Sequence, residues 1–326
     1  MEIVLQQEDY ALLDYGEDAA IPDFSVCIPA HENVTAFSRC LESVLKQRAV
    51  GLEVVVSDDS VGSAIKDYLA QIKDPRVRYV HNCPALGVPV NWNIVLGMAK
   101  GKIHTLLHQD DWYRTPDTLA AIYEEMNNSG AEVLIAGRAL YQGDVCLGEY
   151  GIKPDIPSLF LRNFPARSLV VNRLGHPSVF FFQSRLQCIQ YDASLIYFAD
   201  TDYYNRLLRE AHGVTVCAAP LVGIMRGEQE QLSKTCVANA ERLLAELFLL
   251  HDKYEFSDTE KGINISCFFV SHIRHFFPYK ISPFVRIVWQ KMSLLSICAA
   301  GASAPFFALH MMYRLIYWVV LGKRWS

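Results

Sequence analysis

The sequence predicts an α/β fold with a mostly parallel central sheet and helices on both faces. Three observations carry this. Short apolar runs alternate with helix-like stretches of about ten to fifteen residues, the pattern of crossover-linked parallel strands. Two of those runs close on adjacent acids, Asp58-Asp59 and Asp110-Asp111. The chain, at 326 residues, can bury a full core and still carry an appendage.

The elements follow in order. Phe24 to Pro29 is a short apolar run ended by proline and reads as a buried first strand. Phe37, Leu41, Val44 and Leu45 fall at helical spacing within Val34 to Gln47. Leu52 to Val56 is a β-branched second strand, and Ile65, Leu69 and Ile72 mark the next helix. Val77 to Val80 is a third strand. Pro89 to Lys100 is a helix stopped by Gly101, and Ile103 to Leu107 is the fourth strand. Thr118 to Asn128 is helical, and Glu132 to Ala136 is a fifth strand.

The net charge of -5 argues against a nucleic-acid binder, which needs a basic face. The nine cysteines include no C-x-x-C pair and sit mostly in apolar runs, as free thiols in a reducing compartment do. Residues 1–23 hold seven acids and no Lys or Arg; they read as an acidic arm rather than a secretory signal.

Two carboxylates side by side repel, and a cation relieves them. Oxygen ligands at the carboxyl edge of a sheet suit Mg²⁺ or Mn²⁺ together with substrate phosphates. A solvated pair at a helix start is the plainer alternative for either pair alone. The first turn, Pro29-Ala30-His31-Glu32-Asn33-Val34, has no glycine, and no G-x-x-x-x-G-K occurs. Neither phosphate-cradling loop is therefore expected.

Taken together, residues 24 to about 130 resemble the inverting family 2 glycosyltransferases of the GT-A fold, a Rossmann-like architecture. The resemblance rests on Ile28-Pro29 with Asn33, on Ser43-Val44-Leu45-Lys46-Gln47 and on Glu53-Val54-Val55-Val56-Ser57-Asp58-Asp59-Ser60. Asn93, Ala99-Lys100-Gly101 and Asp110-Asp111 continue it in the family's order. It implies a nucleotide pocket lined by Pro29, Ala30, His31 and Glu32. Asp58 and Asp59 would meet the base, with Asn93, Asp110 and Arg226 completing the nucleotide-binding set. An ionised carboxylate only accepts hydrogen bonds, which suits the N–H edge of uracil or thymine and favours a UDP- or dTDP-sugar. Asp110, Asp111 and Glu228 would hold the metal. The chain departs from the family pattern at His108 and Glu228, where many members carry Asp and His.

A second block extends the resemblance. His176 to Phe182 fits a strand lining the acceptor cleft. Tyr197-Phe198-Ala199-Asp200-Thr201-Asp202 resembles the segment whose first Asp is the catalytic base. This implies Asp200 as base, with Asp202 as the alternative; Ala199 stands where the family has Glu. Capping of the following helix is the plainer role for both acids.

The expected organisation is an acidic arm (1–23), a GT-A domain (24–235) and a helical membrane-associating region (236–326). Within the GT-A domain, 24–130 is the nucleotide-sugar half and 131–235 the acceptor half. Residues 284–321 are dense in apolar and aromatic side chains, with Arg286, Arg314, Lys323, Trp289 and Trp318 near their ends. Such flanks suit a headgroup interface, so helices lying on or crossing the cytoplasmic face of a membrane are expected. The implied activity is transfer of a hexosyl or deoxyhexosyl unit from a nucleotide diphosphosugar to an acceptor hydroxyl. A lipid-linked saccharide of cell-envelope polysaccharide synthesis is the expected acceptor. The alternatives are a catalytically weak nucleotide- or partner-binding relative at the membrane and a sugar nucleotidyltransferase.

Overall fold

The computed structural model describes residues 20–226 and 240–276. The chain forms two compact units. Among the described residues the first comprises 20–157, 174–193 and 206–226; the second comprises 158–173, 194–205 and 240–276.

The first unit is organised by a nine-stranded sheet. Strands β1 (Phe24–Ala30), β2 (Leu52–Asp58), β3 (Val77–His81) and β4 (Ile103–Leu106) pair in parallel in the order β3-β2-β1-β4. Helices α1 (Val34–Leu45), α2 (Ala64–Ile72) and α3 (Val88–Gly97) connect them. These elements stand where apolar periodicity places them. All seven residues of β1 are buried, which explains its nearly continuous apolar run. On α1, Ala36, Phe37, Cys40, Leu41 and Val44 form one buried stripe. Asn33 caps that helix, its Oδ1 accepting from the Ala36 N–H at 3.0 Å.

The rest of the sheet differs from expectation. A mostly parallel sheet was predicted; the sheet is mixed. Strands β5 (Trp112–Tyr113), β6 (Val133–Gln142), β7 (Val145–Tyr150), β8 (Phe180–Gln183) and β9 (Val214–Met225) continue the order as β4-β8-β6-β9-β5, with β7 beside β6. Short β8 lies antiparallel between β4 and β6. The cause is local. Gly143, at φ 56°, turns β6 straight back into β7 as a tight hairpin, so no crossover helix intervenes. Helix α4 (Thr118–Ser129) precedes β6 and ends at Gly130, whose φ of 63° provides a left-handed stop.

One end of the parallel half is tied by a buried charge. The Glu53 carboxylate accepts from Arg78 Nη1 at 3.1 Å, from the Lys100 N–H at 2.6 Å and from Ser25 Oγ. A Cβ at Gly101 would lie 2.7 Å from Ser25 N, so only glycine lets the α3–β4 link come this close.

The second unit is helical. It contains most of α5 (Ile156–Asn163), the start of α6 (Ala199–Glu210), and helices α7 (Ala240–Lys253) and α8 (Asp258–Phe276). Glu246 Oε2 accepts from three consecutive main-chain N–H groups, those of Ile196, Tyr197 and Phe198, at 2.8–3.2 Å. That fixes the chain entering α6. Leu243, Leu244, Leu247 and Leu250 are fully buried along α7. Among the described residues no helix is long and apolar enough to cross a membrane. The acidic arm up to residue 19, Glu228 and the apolar stretch 284–321 lie outside the described residues.

Candidate active site

Turns following β1, β2 and β4 are bonded to one another. The His31 N–H donates to Gln109 Oε1 at 2.9 Å, and Gln109 Nε2 donates back to the His31 carbonyl at 2.8 Å. His31 Nδ1 lies 3.2 Å from the Asp59 carbonyl oxygen. The Glu32 N–H donates to Ser60 Oγ at 2.7 Å, and Glu32 Oε1 accepts from the Val61 N–H at 2.7 Å. Glu32 holds φ at 53°, a left-handed conformation that a non-glycine residue keeps only where its surroundings enforce it. Pro29 and Ala30 are buried at the end of β1, whereas His31 and Glu32 are exposed. The Pro29-to-Glu32 turn, the acids after β2 and the His108-to-Asp111 turn thus form one ledge.

The two acids after β2 also build that ledge. Asp58 is fully buried; Oδ1 accepts from Ser60 N and Oγ, and Oδ2 from the Tyr79 hydroxyl at 2.9 Å. This carboxylate helps push the Tyr79 phenol far above its ordinary range, after burial itself. Asp59 Oδ1 accepts from Asn82 Nδ2 at 2.8 Å and Leu86 N at 3.3 Å, and Oδ2 from Gly87 N at 2.8 Å. Each carboxylate can take about four hydrogen bonds, so each retains about one acceptor position beyond these. Asn93 is spent on structure: its amide donates to the Tyr191 carbonyl at 2.9 Å and accepts from the Tyr191 N–H at 2.7 Å.

The turn after β4 carries the densest chemistry. Asp111 is fully buried, and its Oδ2 lies 2.9 Å from His176 Nδ1. Ser178 Oγ donates to the same oxygen at 2.5 Å, and the Met225 N–H to Oδ1 at 3.3 Å. Burial alone would raise the Asp111 carboxyl. His176 and His108 beside it, with the serine hydroxyl, outweigh that and hold it below the ordinary carboxylate range. Burial pushes the His108 imidazole down to about 3, helped by neighbouring His176 and opposed by Asp111. His108 is therefore neutral near pH 7, with a lone pair on one ring nitrogen. Its ring packs on Trp92, centroids 4.9 Å apart, and edge-on to His176 at 4.5 Å. Ligand atoms of His108, Asp111 and His176 lie within 4.8 Å of one another.

A divalent cation fits this donor set. The His108 Nε2 is buried without a hydrogen-bonding partner, and buried polar atoms are normally paired. Asp110 is half-buried next to the cluster, its carbonyl oxygen accepting from Arg39 Nη2 at 3.0 Å. His176 and Ser178 were not singled out as ligand-side residues by the sequence. Nothing local marks a His-Pro-Ser turn as the partner of an Asp in a distant turn.

In the second unit, Asp200 and Asp202 occupy the first turn of α6, where the helix dipole favours negative charge. Asp202 is fully buried and engaged: its Oδ1 accepts from the Tyr254 hydroxyl at 2.6 Å and pairs with Lys253 Nζ at 2.9 Å. Asp200 is half-buried. Arg226 is exposed just past β9, its N–H donating to the Tyr141 carbonyl at 2.7 Å.

A parallel β3-β2-β1-β4 half joined to a mixed half, in which β6 and β9 run parallel and β8 antiparallel, with acids ending β2 and following β4, gives a GT-A-like α/β domain. Residues 25–185 match the family described as glycosyl transferase family 2, and this segment is a domain of that family. Among curated relatives it is 33% identical over 115 residues to the succinoglycan biosynthesis protein ExoO of Rhizobium meliloti (strain 1021), covering 35% of this chain and 33% of that one. It is 27% identical over 194 residues to WcaA of Escherichia coli (strain K12), named as a colanic acid biosynthesis glycosyl transferase, covering 58% of this chain and 67% of that one. The chain thus spans from a third to two-thirds of the length of these relatives. Among solved structures, residues 1–349 of S. aureus TarS in complex with UDP share the fold, with a TM-score of 0.54, 15% identity and 93% of each chain covered.

Proposed function

We propose that this chain is an inverting glycosyltransferase that moves a sugar from a UDP- or dTDP-sugar to an acceptor hydroxyl. The observation that carries the reading is the single ledge made by the turns after β1, β2 and β4. It supports a nucleotide pocket over Pro29, Ala30, His31 and Glu32, with the remaining acceptor position of Asp59 turned to the base N–H. Arg226 would meet the diphosphate as a charged fork.

Asp200 would act as the base. Asp202 already holds a lysine and a tyrosine, which supports Asp200 for proton removal. Its carboxylate would take the proton of the acceptor hydroxyl as that oxygen attacks the anomeric carbon from the face opposite the leaving diphosphate. Mg²⁺ or Mn²⁺ held by Asp110 and Asp111, with Glu228, would supply charge neutralisation of that diphosphate.

The relatives named for succinoglycan and colanic acid synthesis support a polysaccharide-building role. A lipid-linked saccharide is the proposed acceptor, met at the cytoplasmic membrane face through the helices expected in residues 236–326. The test uses the full chain. UDP and dTDP, but not GDP, should raise the melting temperature by mass action, more so with Mn²⁺ present. Asp200→Asn should abolish sugar transfer and keep that shift. Normal turnover by the variant would remove Asp200 as base; no shift with any nucleotide would remove the transferase reading.

A further inference from the structure

We propose that His108, Asp111 and His176 form a three-ligand site for one borderline transition-metal ion, of the Mn²⁺, Co²⁺ or Zn²⁺ class, in preference to Mg²⁺. The inference deepens the functional reading above by naming other ligands for its cation; binding of the ion itself does not depend on that reading.

Four observations converge. The ligand atoms of the three side chains lie within 4.8 Å of one another, and they are the one such group among the described residues. Two of the three donors are imidazoles. Imidazole nitrogen suits transition ions, whereas Mg²⁺ prefers all-oxygen octahedra and keeps its waters. The His108 Nε2 is buried and lacks a hydrogen-bonding partner, as expected of a nitrogen that awaits something other than a proton donor.

The surroundings orient the ligands. Ser178 Oγ accepts from the main-chain N–H of His108 at 3.0 Å while donating to Asp111 Oδ2, so one hydroxyl ties the His108 backbone to the Asp111 carboxylate. Trp92 and Tyr191 pack with centroids 4.9 Å apart, and Trp92 covers the His108 ring. Such outer-shell support is a normal companion of metal ligation. The His176 side chain keeps 34% of its exposure, so an ion can reach the cluster from that side.

The departure at His108 then acquires a reason. An acid there would put a second carboxylate directly beside buried Asp111. An imidazole brings a donor without a further negative charge.

The test is Mn²⁺ binding to the chelator-stripped full chain, without nucleotide, read by calorimetry and by pulsed electron paramagnetic resonance. The expected result is one tight Mn²⁺ per chain, coupled to imidazole nitrogens and not displaced by a tenfold excess of Mg²⁺. His176→Ala should weaken binding by about 100-fold, on the scale of losing a metal-site partner. Asp110→Asn should leave the nitrogen coupling in place. Should His108→Ala fail to fold, the wild-type resonance still decides. Absent nitrogen coupling, no bound Mn²⁺, or a variant pattern in which Asp110→Asn loses the ion and His176→Ala keeps it would overturn the site. Loss of nucleotide binding with Mn²⁺ binding intact would count against the functional reading alone.

Discussion

The Trp112 indole packs directly against Gly223: a Cβ at position 223 would sit 2.4 Å from Trp112 Cε2. The two residues pair across β5 and β9. Trp112 also packs on Arg39, whose guanidinium carbon lies 4.4 Å from the ring centroid, and on Tyr141 at 4.8 Å. Arg39 in turn donates to the Asp110 carbonyl. Gly223→Ala should therefore push the indole, the guanidinium and the Asp110 turn together. The expected cost is about 1–3 kcal/mol from overpacking. A melting curve checks it, alongside a shifted tryptophan emission.

The acids of α6 should separate into different phenotypes. Asp202→Asn leaves Lys253 facing a neutral amide and should lower stability by about 1–3 kcal/mol, the usual scale for a buried polar group that loses its partner. Asp200→Asn should leave the melting temperature within about a degree and remove transfer. Equal melting losses in both variants would contradict the assignment of different roles.

Glu53 ties three segments of the parallel half through one buried carboxylate. Glu53→Ala strands Arg78, which is only 6% exposed, and should cost about 3–5 kcal/mol. Adding Arg78→Leu should recover part of that loss, because the uncompensated charge is gone. Chemical denaturation of the single and double variants reads this directly.

His251 gives the second unit an acid sensitivity. Burial holds this imidazole down at about 3, with Lys261 adding to the fall. It packs on Phe248 and Phe256, with centroids 5.4 and 4.9 Å away. In the unfolded chain a histidine takes its proton near 6.5. Between those values the unfolded state binds a proton that the folded state refuses, so stability falls as pH drops from about 6.5 toward 3. His251→Leu should flatten the loss of melting temperature between pH 7 and pH 5 while leaving the pH 7 value similar or higher.

Much of the first unit was legible in the sequence because its signals are local. Buried β1 and the stripe on α1 follow from neighbours a few positions apart, whereas α3 ends at Gly97, short of the stop expected at Gly101. The mixed half was not legible. Whether β8 runs with or against β4 depends on a strand far away in the chain, and Phe180-Phe181-Phe182 reads the same in either direction. The same limit governs the site. Asp110-Asp111 stood out as a pair, yet the partners of Asp111 come from His176 and Ser178, which no spacing rule connects to it. Asn93 fell in the right motif, but only coordinates reveal that its amide is closed on the Tyr191 main chain.

Gln109 sets a rule for the short run between His108 and the two acids. Its amide both gives and takes a proton in the exchange with the His31 backbone. A carboxylate in that place can only take, and an ammonium can only give. The clasp joining the first and fourth crossover turns is therefore indifferent to pH and to ionic strength. Within that run acidity is confined to Asp110 and Asp111, and a charge placed at 109 would break the clasp to His31 while leaving both carboxylates in place.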